Sequence, residues 1–184
     1  MRVIDRTEIE FELNSERAAI LETADRFARN ELAPLFARMD AEEWWPEDAM
    51  RKIGSAGLIG VAVDDSLGGA GMDFFCQGLV IQAIARHNSS VGLSYATHEN
   101  LFVNNLYRNG TEAQKGKYLP GCIRGELIGA LGMTEPGAGS DAIGSMATVA
   151  RREGVDYILD GRKLFITNGP IADVMIVYAK TCKE

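Results

Sequence analysis

Cysteine is scarce in this 184-residue chain: Cys76, Cys122 and Cys182 are odd in number and far apart. That excludes a disulfide framework and a CxxC metal site, and leaves reduced, structural thiols. Positive charge is never concentrated. No basic run is longer than a pair such as Arg151–Arg152 and the net charge is −7, so the clustered basic face of a nucleic-acid binder is missing. No apolar run approaches the roughly 20 residues of a membrane span. The opening MRVIDRTEIEFEL lacks the apolar stretch of a secretory signal and carries the acids that mitochondrial transit peptides avoid. A soluble, cytoplasmic protein is expected, with neither nucleic acid nor membrane as partner. Histidine is rare too: His87 and His98 have no carboxylate or second histidine at ligand spacing, so no metal site is expected.

What is present is enough apolar sequence, 46% of residues, to bury a core. Up to about residue 125 the pattern is helical. Thr7-Glu8-Ile9-Glu10 and Thr111-Glu112-Ala113-Gln114 read as capping boxes, each hydroxyl three residues ahead of a Glu or Gln. Ile20, Ala24, Phe27 and Ala28 recur on one helical face between Ser15 and Arg38, with Pro34 set to end or kink that helix. A shorter helix fits Pro46–Ser55, stopped by Gly57. Asp73 starts another, running to His87. Ser89 or Ser90 then caps a helix closing at Gly110, and a last helix spans Thr111–Arg124.

After Gly125 the period shortens. IGALGM (128–133), ATVARRE (147–153), YILDGRKLFIT (157–167) and VMIVYAK (174–180) are rich in Val, Ile, Tyr and Thr, and Asp160-Gly161 reads as a two-residue hairpin turn. The expected fold class is α+β. An all-α N-terminal domain over residues 1–125 precedes the start of an antiparallel, β-barrel-like middle domain over 126–184. About four strands leave unpaired edges, so the chain is expected to be a piece of a longer one.

The stretch MTEPGAGSDAIG, Met133 to Gly144, concentrates glycines, hydroxyls and carboxylates. It has no Lys for a Walker loop, and the residues after Asp141 read as turn and strand, so a dinucleotide fingerprint lacks its helix N-terminus. Pro136 forces an extended backbone at Glu135, and Asp141 is suited to organising the turn; neither carboxylate is a strong acid–base candidate. A loop with glycines for close approach and with Thr134 and Ser140 as hydroxyls suits the polar edge of a flat heterocycle. Its companion is KLFITNG, Lys163 to Gly169. As a strand it would point Phe165 and Thr167 to one side, ring and hydroxyl together. An ordinary strand with Phe165 in the core is the competing reading.

MTEPGAGSD and KLFITNG, with LGGAGMD, RNGTEAQKGKYLP and ITNGPIADVMIVYAKT in the same order, resemble the signatures of the acyl-CoA dehydrogenase family of flavoenzymes. The likeness covers nearly the whole chain, and SSVGLSYATHENL points to relatives acting on short or branched acyl groups. The resemblance implies a helical domain, a middle β domain and a C-terminal four-helix domain that lies beyond these residues. It implies FAD as cofactor, an acyl-CoA substrate, an electron-transfer flavoprotein as acceptor and a homotetramer.

The flavin-binding run implied falls on Leu131, Gly132, Met133, Thr134, Glu135, Pro136, Gly137, Ala138, Gly139 and Ser140, and on Phe165, Ile166 and Thr167. The family usually has Trp where Phe165 stands, which reduces ring area. Ser140 would also meet the CoA part of the substrate. Ser94 and Tyr95 would shape the far end of the acyl pocket. The family's catalytic Glu lies beyond the β domain, and no residue of this chain matches its motif. Two alternatives stand beside this reading: an oxygen-using relative of the same fold such as an acyl-CoA oxidase, and a truncated, non-catalytic binding or assembly module.

Overall fold

The structure, a computed structural model, describes residues 13–181. The capping box expected at Thr7, and Cys182, lie outside these residues. Helix α1 (Ser15–Phe27) starts at Asn14, whose side chain accepts the Arg17 N–H at 2.9 Å. Ile20, Ala24, Ala28 and Leu32, four residues apart, are buried along one face. Pro34 does not end the run. The chain loosens into a π turn at Ala28–Leu32, tightens into a 3₁₀ turn at Ala33–Leu35, and resumes as α2 (Phe36–Glu42). These turns absorb the missing proline N–H.

Helix α3 (Ala49–Ser55) is followed by a glycine-rich loop that folds on itself. Ala70 and Gly71 donate to the carbonyls of Gly60 and Val63, so LGGAGMD is a packed connection between helices. Asp73 caps α4 (Phe74–His87) by accepting the Cys76 N–H at 2.9 Å, and pairs with Arg17 at 2.6 Å. Helix α5 (Ser89–Ala96) is capped by Asn88, not by the serines that come after it. The buried Asn88 amide accepts from the Val91 N–H and donates to the Leu32 carbonyl, both at 3.1 Å. One side chain thus starts a helix and closes a buried carbonyl of the π turn, which a serine hydroxyl is too short to do. After α5 the chain passes through a π stretch at Thr97–Val103 into α6 (Asn104–Asn109) and α7 (Glu112–Ile123). The Thr111–Gln114 capping box forms as expected.

The sheet elements come in the expected order but pair differently. Strand β1 (Gly129–Gly132) lies parallel to β4 (Val174–Val177). Strand β2 (Val149–Glu153) is flanked by antiparallel β3 (Asp156–Asp160) and parallel β5 (Lys180–Thr181). The result is a helical domain followed by a mixed β-sheet region, with no closed barrel among the described residues. The hairpin turn sits at Gly154-Val155, where Gly154 takes φ +64°, and not at Asp160-Gly161. Gly161 serves close packing instead: a Cβ there would lie 2.3 Å from Thr148 Oγ1. Among the described residues no helix is long and apolar enough to cross a membrane.

Helices α4 and α5 pack closely where Gly92 meets Ala85. A Cβ on Gly92 would stand 2.6 Å from the Ala85 Cα, whereas Gly78, exposed on α4, faces open space. Gly92→Ala is therefore expected to destabilise the chain by about 1–3 kcal/mol through overpacking. Gly78→Ala should stabilise it by roughly 0.5–1 kcal/mol through backbone entropy. Urea unfolding of both variants checks this; a Gly92→Ala protein as stable as the parent would contradict the packing described.

Candidate cofactor-binding site

The two motifs are laced together by one lysine. Lys163 Nζ donates to the Met133 carbonyl at 3.0 Å and pairs with Glu135 Oε1 at 2.8 Å. The next residue continues the seam, with the Leu164 N–H donating to the Thr134 carbonyl at 2.9 Å. Glu135 is almost fully enclosed, its side chain 5% exposed against 11% for Lys163. Its oxygens also accept the N–H groups of Ala147 at 2.6 Å and Thr148 at 3.0 Å. Lys163 first, then the Thr148 and Ala147 donors, hold the Glu135 carboxyl down at about 2. Glu135 is thus an ionised anchor for the loop, with no proton to give near neutrality and no free face for a ligand. Beyond it, Glu135 and Ala138 exchange backbone hydrogen bonds at 3.1 Å, which turns Pro136 and Gly137 outward.

Past this seam Gly139 and Ser140 are exposed, with Ala138 half-buried. The Asp141 carboxylate accepts the Ser145 hydroxyl and so ties together the end of the loop.

The segment after Lys163 departs from the expected strand. Phe165 takes φ +55°, a left-handed conformation that costs a non-glycine residue energy, and Thr167 begins a turn. The alternation that would set Phe165 and Thr167 on one strand face does not exist here. Phe165 is instead 90% exposed, its ring standing off the surface. Ile166 and Thr167 are half-buried beside it. An exposed aromatic on a strained backbone, tied by its neighbours to the Thr134 loop, marks a built surface and not a core position.

Leu131 and Met133 face a groove of about 330 Å³ whose other walls include Phe74, Leu101, Asn104 and Tyr178. Among the described residues no carboxylate lines it. Ser94 and Tyr95 do not reach this groove. Both are buried within the helical domain: Ser94 Oγ donates to Asn168 Oδ1 at 2.5 Å, and the Tyr95 hydroxyl donates to the Leu58 carbonyl at 2.5 Å. The sheet side of the expected site is therefore brought together, and its expected acyl-pocket end is committed to packing.

Two buried ionisable groups, Glu99 and His98, have roles that the sequence reading did not assign. Glu99 accepts the Gly60 N–H at 2.7 Å and the Val61 N–H at 2.8 Å, fixing the interhelical loop. Burial pushes its carboxyl up to about 7 against those two donors. His98, fully buried, bridges the Cys122 carbonyl and the Gly129 N–H. The spacing of Val91, Tyr95, His98 and Phe102 along one buried helical face was the available signal. His87, without a partner at ligand spacing, meets Asp25 at 2.7 Å across 62 residues. No cluster of three metal-ligating side chains occurs among the described residues.

A helical layer, a laced pair of glycine and aromatic loops and an adjoining groove make up the candidate site. Residues 14–126 match the acyl-CoA dehydrogenase N-terminal domain, and residues 130–184 match the middle domain of the same family. The chain belongs to the acyl-CoA dehydrogenase family. It is 44% identical over 176 residues to the mitochondrial isovaleryl-CoA dehydrogenase of Pongo abelii, covering 92% of this chain and 40% of the relative. It superposes on butyryl-CoA dehydrogenase from Megasphaera elsdenii with TM-score 0.87 and 32% identity, covering 95% of this chain and 46% of that one. A glutaryl-CoA dehydrogenase from Mycobacterium smegmatis in complex with FADH2 matches equally, with TM-score 0.87, 32% identity and coverage of 92% and 43%. The chain thus spans less than half the length of these relatives.

Lys163→Met removes the largest influence on Glu135. Because the Glu135 carboxyl sits below its ordinary value of 4.5, its contribution is fully present above that value and fades as pH falls toward 2. The stability gap between the parent and Lys163→Met is therefore expected to be widest near neutrality and to narrow through that acid window. Denaturant unfolding across pH checks it; a gap that stays constant down to pH 2 would show that the charge on Glu135 contributes nothing to it.

Proposed function

We propose that these residues form one wall of the FAD site of an acyl-CoA dehydrogenase acting on a short or branched acyl group. The observation that carries the reading is Phe165: its ring is 90% exposed at φ +55° on a turn seamed to Thr134. Such a ring offers a π-face to a flat partner, while Thr134, Thr167 and the backbone of the glycine loop offer polar groups at its rim. Leu131 and Met133 supply an apolar surface beside it. This donor set suits an isoalloxazine: flat, apolar at one end, rich in hydrogen-bonding atoms at the other. Within the proposal, Leu131, Met133, Thr134, Ser140, Phe165, Ile166 and Thr167 are cofactor contacts, and Glu135 serves by anchoring them.

When bound, the flavin supplies a two-electron acceptor for α,β-dehydrogenation. The chain's own part is to hold one side of that ring, orient it through loop backbone and hydroxyls, and shield the groove from water. The proton must be taken by a carboxylate poised over the substrate. Glu135 is held at about 2 by Lys163, and Glu99 is buried against Gly60 and Val61, so neither fits that role. Residues 1–184 by themselves are accordingly proposed to bind FAD weakly and not to turn over acyl-CoA. For the protein as a whole, cytoplasmic location, tetrameric assembly and electron delivery to an electron-transfer flavoprotein belong to the same proposal.

An FAD titration followed by amide NMR tests the wall. Shifts should concentrate on Leu131–Ser140 and Phe165–Thr167 and spare α1. Shifts confined to other segments would overturn the assignment. Dye reduction with isovaleryl-CoA should be undetectable for residues 1–184; turnover by them would contradict the proposed division of labour.

A further inference from the structure

Gly129 opens β1, and both of its backbone groups are held by side chains from distant parts of the chain. Its N–H donates to His98 Nδ1 at 2.9 Å, and its carbonyl accepts from Asn168 Nδ2 at 3.3 Å. With Nδ1 accepting, the imidazole carries its proton on Nε2 and donates it to the Cys122 carbonyl, 3.0 Å away in the last turn of α7. The ring stacks on Phe102, with centroids 6.4 Å apart. Phe102 fills the space against Gly129, where a Cβ would come within 2.1 Å of Phe102 Cγ. Asn168, at φ +65°, also donates to the Ser94 carbonyl at 3.0 Å and accepts the Ser94 hydroxyl at 2.5 Å.

One glycine is therefore the meeting point of α5, the π stretch, α7, β1 and the turn after Phe165. We propose that His98 and Asn168 are paired positioning residues: by holding Gly129 through its N–H and its carbonyl, they set the register of the flavin wall against the helices. The inference rests on the flavin-wall reading above. Its physical basis is short leverage. At about 3.3 Å per strand residue, Leu131 and Met133 stand roughly 7 and 13 Å from the clamp, and Thr167 directly precedes Asn168. A shift at Gly129 thus moves both halves of the wall. A purely structural pair would need only to bury well; this pair joins the wall to the π stretch that carries the groove residue Leu101, at a glycine with no room for a side chain.

The test uses the intact chain with FAD as probe. His98→Leu removes both ring contacts at similar volume. Asn168→Gly keeps the left-handed backbone and removes all the side-chain hydrogen bonds. His98→Asn restores an acceptor close to Gly129. The first two are expected to weaken FAD binding about tenfold, the scale of one lost buried hydrogen bond, and to shift the bound-flavin absorption and visible circular dichroism bands. His98→Asn should recover most of both. Independently of FAD, amide exchange in β1 and β4 should accelerate about tenfold in the same two variants, while α1 and α4 keep their rates.

Folded His98→Leu and Asn168→Gly proteins with unchanged flavin spectra and unchanged β1 exchange would overturn the proposal. So would acceleration spread equally over α1 and α4, which marks a plain loss of stability. Should either variant fail to fold, Asn168→Asp is judged by the same criteria; it keeps an acceptor for Ser94 and loses the donor to Gly129. If the unsubstituted chain binds no FAD, the flavin reading fails by itself and the exchange pattern alone decides the clamp.

Discussion

The pairing of Lys163 with Glu135 is the constraint on which the site depends. A carboxylate enclosed to this degree is costly unless its charge is answered, and it is answered by one ammonium and two backbone N–H groups. The same ammonium reaches the Met133 carbonyl, so neutralising Glu135 also pins the glycine loop to the segment bearing Phe165. About thirty residues of sequence separate the two motifs, 30 between Met133 and Lys163, and a single side chain removes that distance. What the ion pair contributes is specificity of arrangement: one ammonium joins a buried carboxylate to a loop carbonyl and so fixes how the two loops dock.

The helical domain provides the second constraint. Tyr95 and Glu99, one turn apart on the same buried face, hold the loop after α3 by its Leu58 carbonyl and by the Gly60 and Val61 N–H groups. His98 lies between them in sequence and turns toward the sheet. Polar side chains in this interior thus act as connectors, each tying an irregular segment to a regular one where backbone groups would otherwise be left unpaired. The apolar core supplies the bulk of the burial, and these connectors decide how the loop and the sheet sit upon it. That order of cause explains why a residue such as Phe165 can remain exposed and strained: its neighbours fix it.

Local chemistry made much of this legible in advance. Asp73 and the Thr111–Gln114 pair cap helices where their spacing says they should, because an N-cap needs only the next three residues. The change from helix to sheet near Gly125 was readable from the rise of Val, Ile and Thr. Contacts across sequence distance were not. Asn88 displaced the serines as a cap because it also reaches Leu32, 56 residues away. Nothing near Glu135 in the sequence points to Lys163, 28 residues on, as its partner. The alternation of Phe165 and Thr167 failed because Phe165 itself takes a left-handed backbone and the turn that carries Asn168 inward toward Ser94 and Gly129 already begins at Thr167. The motifs themselves were legible; their lacing was a tertiary fact.

A crystal structure of the protein with FAD bound is the decisive measurement. The tricyclic ring is expected in contact with both Leu131–Thr134 and Phe165–Thr167, with the Lys163 ammonium still on Glu135. A ring bound elsewhere, or one that touches Glu135 in place of Lys163, would contradict the laced flavin wall.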